Sequence, residues 1–329
     1  MEMRAVKGLR CALQTAEAKL DQTMSYRTAR TALALFALIG CEAWPAPSPM
    51  TQAAHEADHA QWRAARRNGL VRPGSGAVTW IGLWDLPVGE FRIGADSGPP
   101  MVLAGSHVPR EVGTIARTDT SLRFTPARNA HPTLGDSTRI TTTIDLVSDR
   151  SRGSTVIAVG SVRFRVHGEP GTDRLWIRAW DENHPRIATF QLPETFPVSA
   201  EWRVAARFDS FAVARDFQVA DVADGTQAYH SPGELVFRVA GHEHRLAVSA
   251  DAGSRDYFIM LWDSTATSST YGAGRYLRVP LADSTGWTVI DFNRTYNPPC
   301  AFTAFSTCAF PPPENRLRFA ITAGEKRVP

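Results

Sequence analysis

From residue 70 onward the chain alternates between apolar and polar side chains, in short runs broken by turn residues. Val162-Arg163-Phe164-Arg165-Val166-His167 alternates without interruption, and Leu235-Val236-Phe237-Arg238-Val239 and Arg245-Leu246-Ala247-Val248 keep the same rhythm. A period of two sends successive side chains to opposite faces, which suits a half-buried strand and not a helix. Leu175 to Asp181 (LWIRAWD) sets Trp176, Arg178 and Trp180 on one face, and Thr138 to Val147 is rich in the β-branched residues that strands favour. Gly, Pro, Asp and Asn punctuate these runs. A helical reading holds only earlier, over the Ala-rich residues 51–69, ending near Asn68-Gly69. The expected fold is mainly β: a many-stranded antiparallel sandwich or barrel, preceded by one N-terminal helix. Residues 70–329 show no internal repeat and no linker, and read as a single all-β domain.

Charge is unevenly placed. Residues 1–40 hold six of the 36 basic and three of the 33 acidic residues, which leaves 30 of each from Cys41 onward. A neutral chain without a basic run gives no electrostatic case for nucleic acid. The basic residues near the start serve another purpose. Tyr26-Arg27-Thr28-Ala29-Arg30 precedes nine residues, Thr31 to Ile39, that are almost all apolar, and Leu38-Ile39-Gly40-Cys41 follows. Nine residues reach only about 14 Å as a helix, too short for a bilayer core of about 30 Å. The order of basic, apolar and small residues is that of a signal peptide.

The ending Leu38-Ile39-Gly40-Cys41 resembles the lipobox of bacterial lipoproteins. That resemblance implies cleavage before Cys41 and lipid on its thiol, with several acyl chains giving stable anchoring. On this reading residues 24–40 are the signal peptide. Residues 41–50, with Trp44-Pro45-Ala46-Pro47-Ser48-Pro49, form an extended lipidated tether. Glu42, in place of an aspartate, favours the outer membrane facing the periplasm. Met24 is the expected start, residues 1–23 being an untranslated or misassigned prefix. The membrane, through the lipid anchor, is the one partner the sequence names. Cys11 falls in the prefix, so Cys300 and Cys308 remain as an even pair in an oxidising compartment, which argues for a disulfide. A free thiol pair or two ligands of a metal site are the alternatives.

The densest text lies near the end. Thr270-Tyr271-Gly272-Ala273-Gly274-Arg275-Tyr276-Leu277 precedes Asp291-Phe292-Asn293-Arg294 and Tyr296-Asn297-Pro298-Pro299-Cys300. Cys308, Pro311-Pro312-Pro313-Glu314-Asn315-Arg316-Leu317 and Ala323-Gly324-Glu325-Lys326 follow. This run resembles the bacterial and archaeal family known as domain of unknown function 1684. Trp80-Ile81-Gly82-Leu83-Trp84 and Gly89-Glu90-Phe91-Arg92-Ile93-Gly94 look like that family's start, so the resemblance spans roughly residues 60–326. It departs at Ala309, where the family usually has proline. The family carries no known activity to transfer.

Asp263, Tyr271, Arg275, Asp291, Asn293, Asn297, Glu314, Asn315, Glu325 and Lys326 are the candidate ligand-binding residues. Polar groups at such density among apolar strand residues need partners. Arg275 offers a rigid fork for a carboxylate or phosphate, and paired carboxylates can share acid and base roles. Equally, these groups can knit loops together, and no catalytic residue is assigned. Lys326 is the only lysine after residue 40; an ammonium there is expected near Glu325, Asp291 or Arg275. His55-Glu56-Ala57-Asp58-His59 matches H-E-x-x-H in form, but it precedes the domain with no third ligand in view, so a solvated helix face is expected and neither metal nor cofactor is assigned. No G-x-S-x-G turn, phosphate loop or dinucleotide glycine pattern occurs. Two functions remain. In one, the C-terminal polar block forms a small-molecule binding or hydrolytic site, with polar tips unpaired in one cleft. In the other, the chain is a non-catalytic cell-envelope structural or interaction module, and the same residues pair with each other.

Overall fold

The computed structural model describes residues 44–96, 100–105, 107–135, 138–168 and 172–328. The expected signal peptide, Cys41 and the expected prefix lie outside the described residues. Helix α1 (Gln52–Leu70) opens on Thr51, whose side chain accepts from the Ala54 N–H.

Eleven strands follow: β1 (Trp80–Asp85), β2 (Gly89–Gly94), β3 (Met101–Val102), β4 (Gly113–Arg117), β5 (Leu122–Pro126), β6 (Thr133–Leu134), β7 (Thr138–Arg139), β8 (Ile144–Asp145), β9 (Val156–Val159), β10 (Val162–Gly168) and β11 (Leu175–Asp181). They form a six-stranded sheet ordered β1-β11-β10-β9-β6-β7 and a five-stranded sheet ordered β3-β2-β4-β5-β8. All pairings are antiparallel except β2 with β3. Ile157, Phe164, Val166, Ile177 and Ala179 of the first sheet pack with Ile93, Met101, Ile115 and Phe124 of the second in one core. Alternation in β10 therefore reads out directly: Val162, Phe164 and Val166 are buried, while Arg163, Arg165 and His167 lie on the other face.

After a short α2 (Arg186–Thr189) come β12 (Arg203–Ala220), β13 (Thr226–Val239), β14 (His242–Val248), β15 (Asp256–Leu261), β16 (Arg275–Pro280) and β17 (Trp287–Asp291). The four-stranded sheet β14-β13-β12-β17 and the ribbon β15-β16 enclose a second core of Leu235, Phe237, Leu246, Ile259, Leu277 and Ile290. The fold is mainly β, as the alternation implied.

Two details differ from expectation. Thr138–Val147 is not one strand. Its ends enter different sheets, β7 pairing with β6 and β8 with β5. One straight strand cannot serve two stacked layers, so the chain breaks over Thr141–Thr143 as it crosses. The Pro-rich stretch before α1 also touches the domain. The Trp44 indole donates to the Ala205 carbonyl at 3.1 Å and meets Trp287 edge-on, and Arg203 donates to the Ser48 carbonyl.

Candidate functional site

The C-terminal polar residues are held by loops between strands, where backbone groups lack ladder partners and side chains must satisfy them. Asp263 follows β15 and caps the turn Ser264–Thr267. One carboxylate oxygen accepts from the Thr265 N–H, the Thr265 hydroxyl and the Ile321 N–H. The other accepts from Arg275 Nη2 at 2.7 Å. Arg275 also donates to the carbonyls of Ile321, Ala323 and Glu325. Both partners are 1% exposed. Burial lowers the Arg275 pKa and the Asp263 charge opposes that shift. The pair straps the chain's last segment to the β15–β16 ribbon.

Glu325 is 0% exposed and joins a second strap. Its carboxylate accepts from Arg66 Nε at 3.2 Å and from the Asn297 N–H at 2.8 Å. Arg66 also donates to the Asn297 carbonyl and lies over the Tyr296 ring. The Asn297 amide donates to the Lys326 carbonyl. Asn293 exchanges two hydrogen bonds with the Ser199 backbone and donates to Asp291, whose other oxygen meets His55 Nε2 at 3.2 Å. Asn315 bonds both backbone groups of Ala247 and the Met260 carbonyl, tying β14 to β15.

The structure thus brings Asp263, Arg275, Asn297 and Glu325 into one buried network, with Asp291 and Asn293 beside α1 and Asn315 apart. Glu314 is exposed and Tyr271 half-buried, and neither joins the network. Lys326 departs from expectation. Its ammonium sits 3.2 Å from Glu194 and over Phe196, at the surface and not beside Glu325, Asp291 or Arg275. Cys300 and Cys308 form a disulfide, which fixes the loop carrying Phe302 and resolves the alternatives for that pair.

The solvated face expected for the H-E-x-x-H segment is also corrected. His55 and His59 are 1% and 5% exposed. His59 Nε2 meets the Asn293 carbonyl at 2.9 Å, and its ring stacks on Trp62. The inward face of α1 is His55, His59, Trp62, Arg66 and Leu70, a helical spacing made mostly of polar and aromatic residues. That spacing was present in the sequence; its polarity hid it. Among the described residues, no three His, Cys, Asp or Glu side chains group as a metal site, and no helix is long and apolar enough to cross a membrane. A cleft of about 520 Å³ opens at the β4–β5 turn, lined by Arg117, Asp119, Arg150 and Asp173 among others, and none of the C-terminal candidates lines it.

No curated protein matches the chain. Solved structures also resemble parts of it, among them the following two. The solution structure of an uncharacterised protein from gene locus rrnAC0354 of Haloarcula marismortui is 28% identical. The match covers 42% of this chain and 78% of that one, with a TM-score of 0.36. Mycobacterium tuberculosis EmbR, in complex with a low-affinity phosphopeptide, is 18% identical over 40% of this chain and 32% of that one, with a TM-score of 0.21. The family match is narrower than the resemblance read from residues 60–326, and the Trp80–Trp84 and Gly89–Gly94 runs fall outside it. It covers residues 188–326, where the chain matches the model of the family described as "Protein of unknown function (DUF1684)".

Proposed function

We propose that the chain is a membrane-anchored extracytoplasmic lipoprotein whose folded part is a non-catalytic cell-envelope module, with the C-terminal polar block as its framework. The observation that carries the second half is the Asp263–Arg275 pair. Both side chains are 1% exposed, and every oxygen of the carboxylate is already engaged by the protein. A catalytic carboxylate has to meet substrate, and this one meets only its own chain. The anchor rests on the order of Arg27, Arg30, the apolar run and Gly40-Cys41. The Cys300–Cys308 disulfide supports an oxidising compartment.

The test is fractionation with mass spectrometry. The full chain should sediment with membranes and yield an N-terminal peptide beginning at an acylated Cys41. Cys41→Ser should release it to the soluble fraction. An unmodified leader peptide on cytoplasmic protein would sink the anchor. Asp263→Asn probes the framework, which calls for lost stability; if instead it leaves stability intact while abolishing turnover of a substrate, the block is a site.

A further inference from the structure

The outer face of the six-stranded sheet holds a second concentration of charge, and this one is not closed. β10 presents Arg165 and His167 there, and β11 presents Trp176, Arg178 and Trp180, because Phe164, Val166, Ile177 and Ala179 fill the core behind. The register sets Arg165 directly opposite Arg178. Like charges facing each other across an antiparallel pair destabilise it. Arg165 has compensation, its Nε lying 3.1 Å from Asp149. The same Asp149 oxygen is 2.9 Å from His167 Nδ1, and burial lowers the His167 pKa.

Arg178 has none. It is 6% exposed and stacks over the Trp80 ring at 4.3 Å. Its guanidinium makes no hydrogen bond or ion pair with any described residue, and its Nε is buried without an acceptor. Burial lowers its pKa to about 10, which leaves it charged at neutral pH. The indole N–H groups of Trp80 and Trp176, on the same face, are also buried without acceptors. The register explains the indole nearest the charge: Trp80 pairs with Trp180, two positions from Arg178 on the shared face. Buried donors are normally satisfied, and an unpaired buried charge is costly. Three donors and no spare acceptor are the chemistry of a site completed by an anion from outside.

We propose that Arg178, flanked by Trp80 and Trp176, binds a small oxyanion of the carboxylate or phosphate class. The guanidinium fork supplies the paired donors that such an oxyanion accepts. The indole N–H groups of Trp80 and Trp176, buried without acceptors on the same sheet face, are the further donors the site offers. This site is independent of the membrane anchor and of the C-terminal framework, and it can fail without either failing.

The test follows the indole N–H signals by NMR in the full chain, assigned with Trp80→Phe and Trp176→Phe. Inorganic phosphate and acetate are titrated separately at constant ionic strength, with chloride as balance. The expected result is a saturable shift of the Trp80 and Trp176 signals with at least one of the two anions. Arg178→Met should weaken the apparent affinity about tenfold or more, with the remaining tryptophan signals in place. Should Arg178→Met fail to fold, Trp80→Phe removes one donor while keeping a ring beneath the guanidinium, and it should weaken binding several-fold at the Trp176 signal. A shift that chloride reproduces, a shift that survives Arg178→Met, or no saturable shift with either anion overturns the proposal.

Discussion

Arg275 and Arg178 are both buried, and the chain accommodates them in different ways. Arg275 is met by Asp263 and by the carbonyls of Ile321, Ala323 and Glu325. Those carbonyls belong to an irregular segment, so they are not committed to a ladder and can turn inward. Arg178 stands in the middle of β11, hydrogen-bonded on one side to β1 and on the other to β10. A central strand spends its carbonyls on its neighbours. Around Arg178 no backbone acceptor is left, and only a side chain or an outside group can take the charge. Irregular backbone can bury a cation by itself, whereas a regular sheet needs help.

The largest expected effect tests the closed side. Asp263→Ala strands Arg275 in the interior and uncaps the turn at Ser264. Breaking a buried pair by removing one partner costs about 3–5 kcal/mol, read as a fall in urea-unfolding stability. A loss within about 0.5 kcal/mol, the range of a surface change, would mean the network is not a framework. The disulfide comes next, because its loop links the two regions. Phe302, two residues past Cys300, is buried in one cluster with Trp80 and Trp180. Replacing both Cys300 and Cys308 with alanine should cost about 2–3 kcal/mol, given a separation of eight residues. The same variant should broaden the Trp80 indole signal if that contact joins the regions as described.

What the sequence disclosed follows from range. Alternation is local, so β10, β11, β13 and β14 could be read from their own residues. The Thr138–Val147 break could not, because it depends on which sheets lie on either side. The polar density of residues 263–326 was visible, but its pairing was not. Asp263 meets Ile321 across 58 positions, and Ser199 meets Asn293 across 94. The docking of α1 is hidden in the sequence for a different reason. Its buried face holds two histidines and an arginine, and a rule that looks for apolar stripes passes over it. The single lysine at 326 has a surface partner, Glu194, 132 positions away, which no local pattern discloses. Trp176, Arg178 and Trp180 were seen to share a face, but the absence of an acceptor for Arg178 is visible only once its neighbours are in place.

The comparison predicts an opposite sign for the open side. Arg178→Leu replaces a buried, unpaired cation with an apolar side chain. Removing the desolvated charge and its repulsion with Arg165 stabilises; losing the stack on Trp80 costs about 0.5–2 kcal/mol. The balance is a gain of about 1 kcal/mol in anion-free buffer, measured against Asp263→Ala in the same urea series. A loss comparable to that of Asp263→Ala would show that Arg178 is internally compensated after all, and the contrast between the two arginines would collapse.

The smallest effect concerns the helix that closes the C-terminal network. Burial lowers the His59 pKa below 6.5, and Arg63 and His55 push it the same way. The Asn293 carbonyl and Asp291 oppose the shift. Above pH 6.5 the imidazole is neutral in both the folded and the unfolded chain, and α1 contributes its full stability. As pH falls through 6.5, the unfolded chain takes up a proton that the folded chain resists, so stability declines on the acid side. A single such group limits the slope to about 1.4 kcal/mol per pH unit. His167, His184 and His244 are lowered as well, so the readout is the difference between the native chain and His59→Gln. Urea midpoints from pH 8 to pH 5 should fall less steeply for the variant. Parallel slopes would mean that His59 keeps the same proton affinity in the folded chain, and that the helix docks through Arg66 and His55 alone.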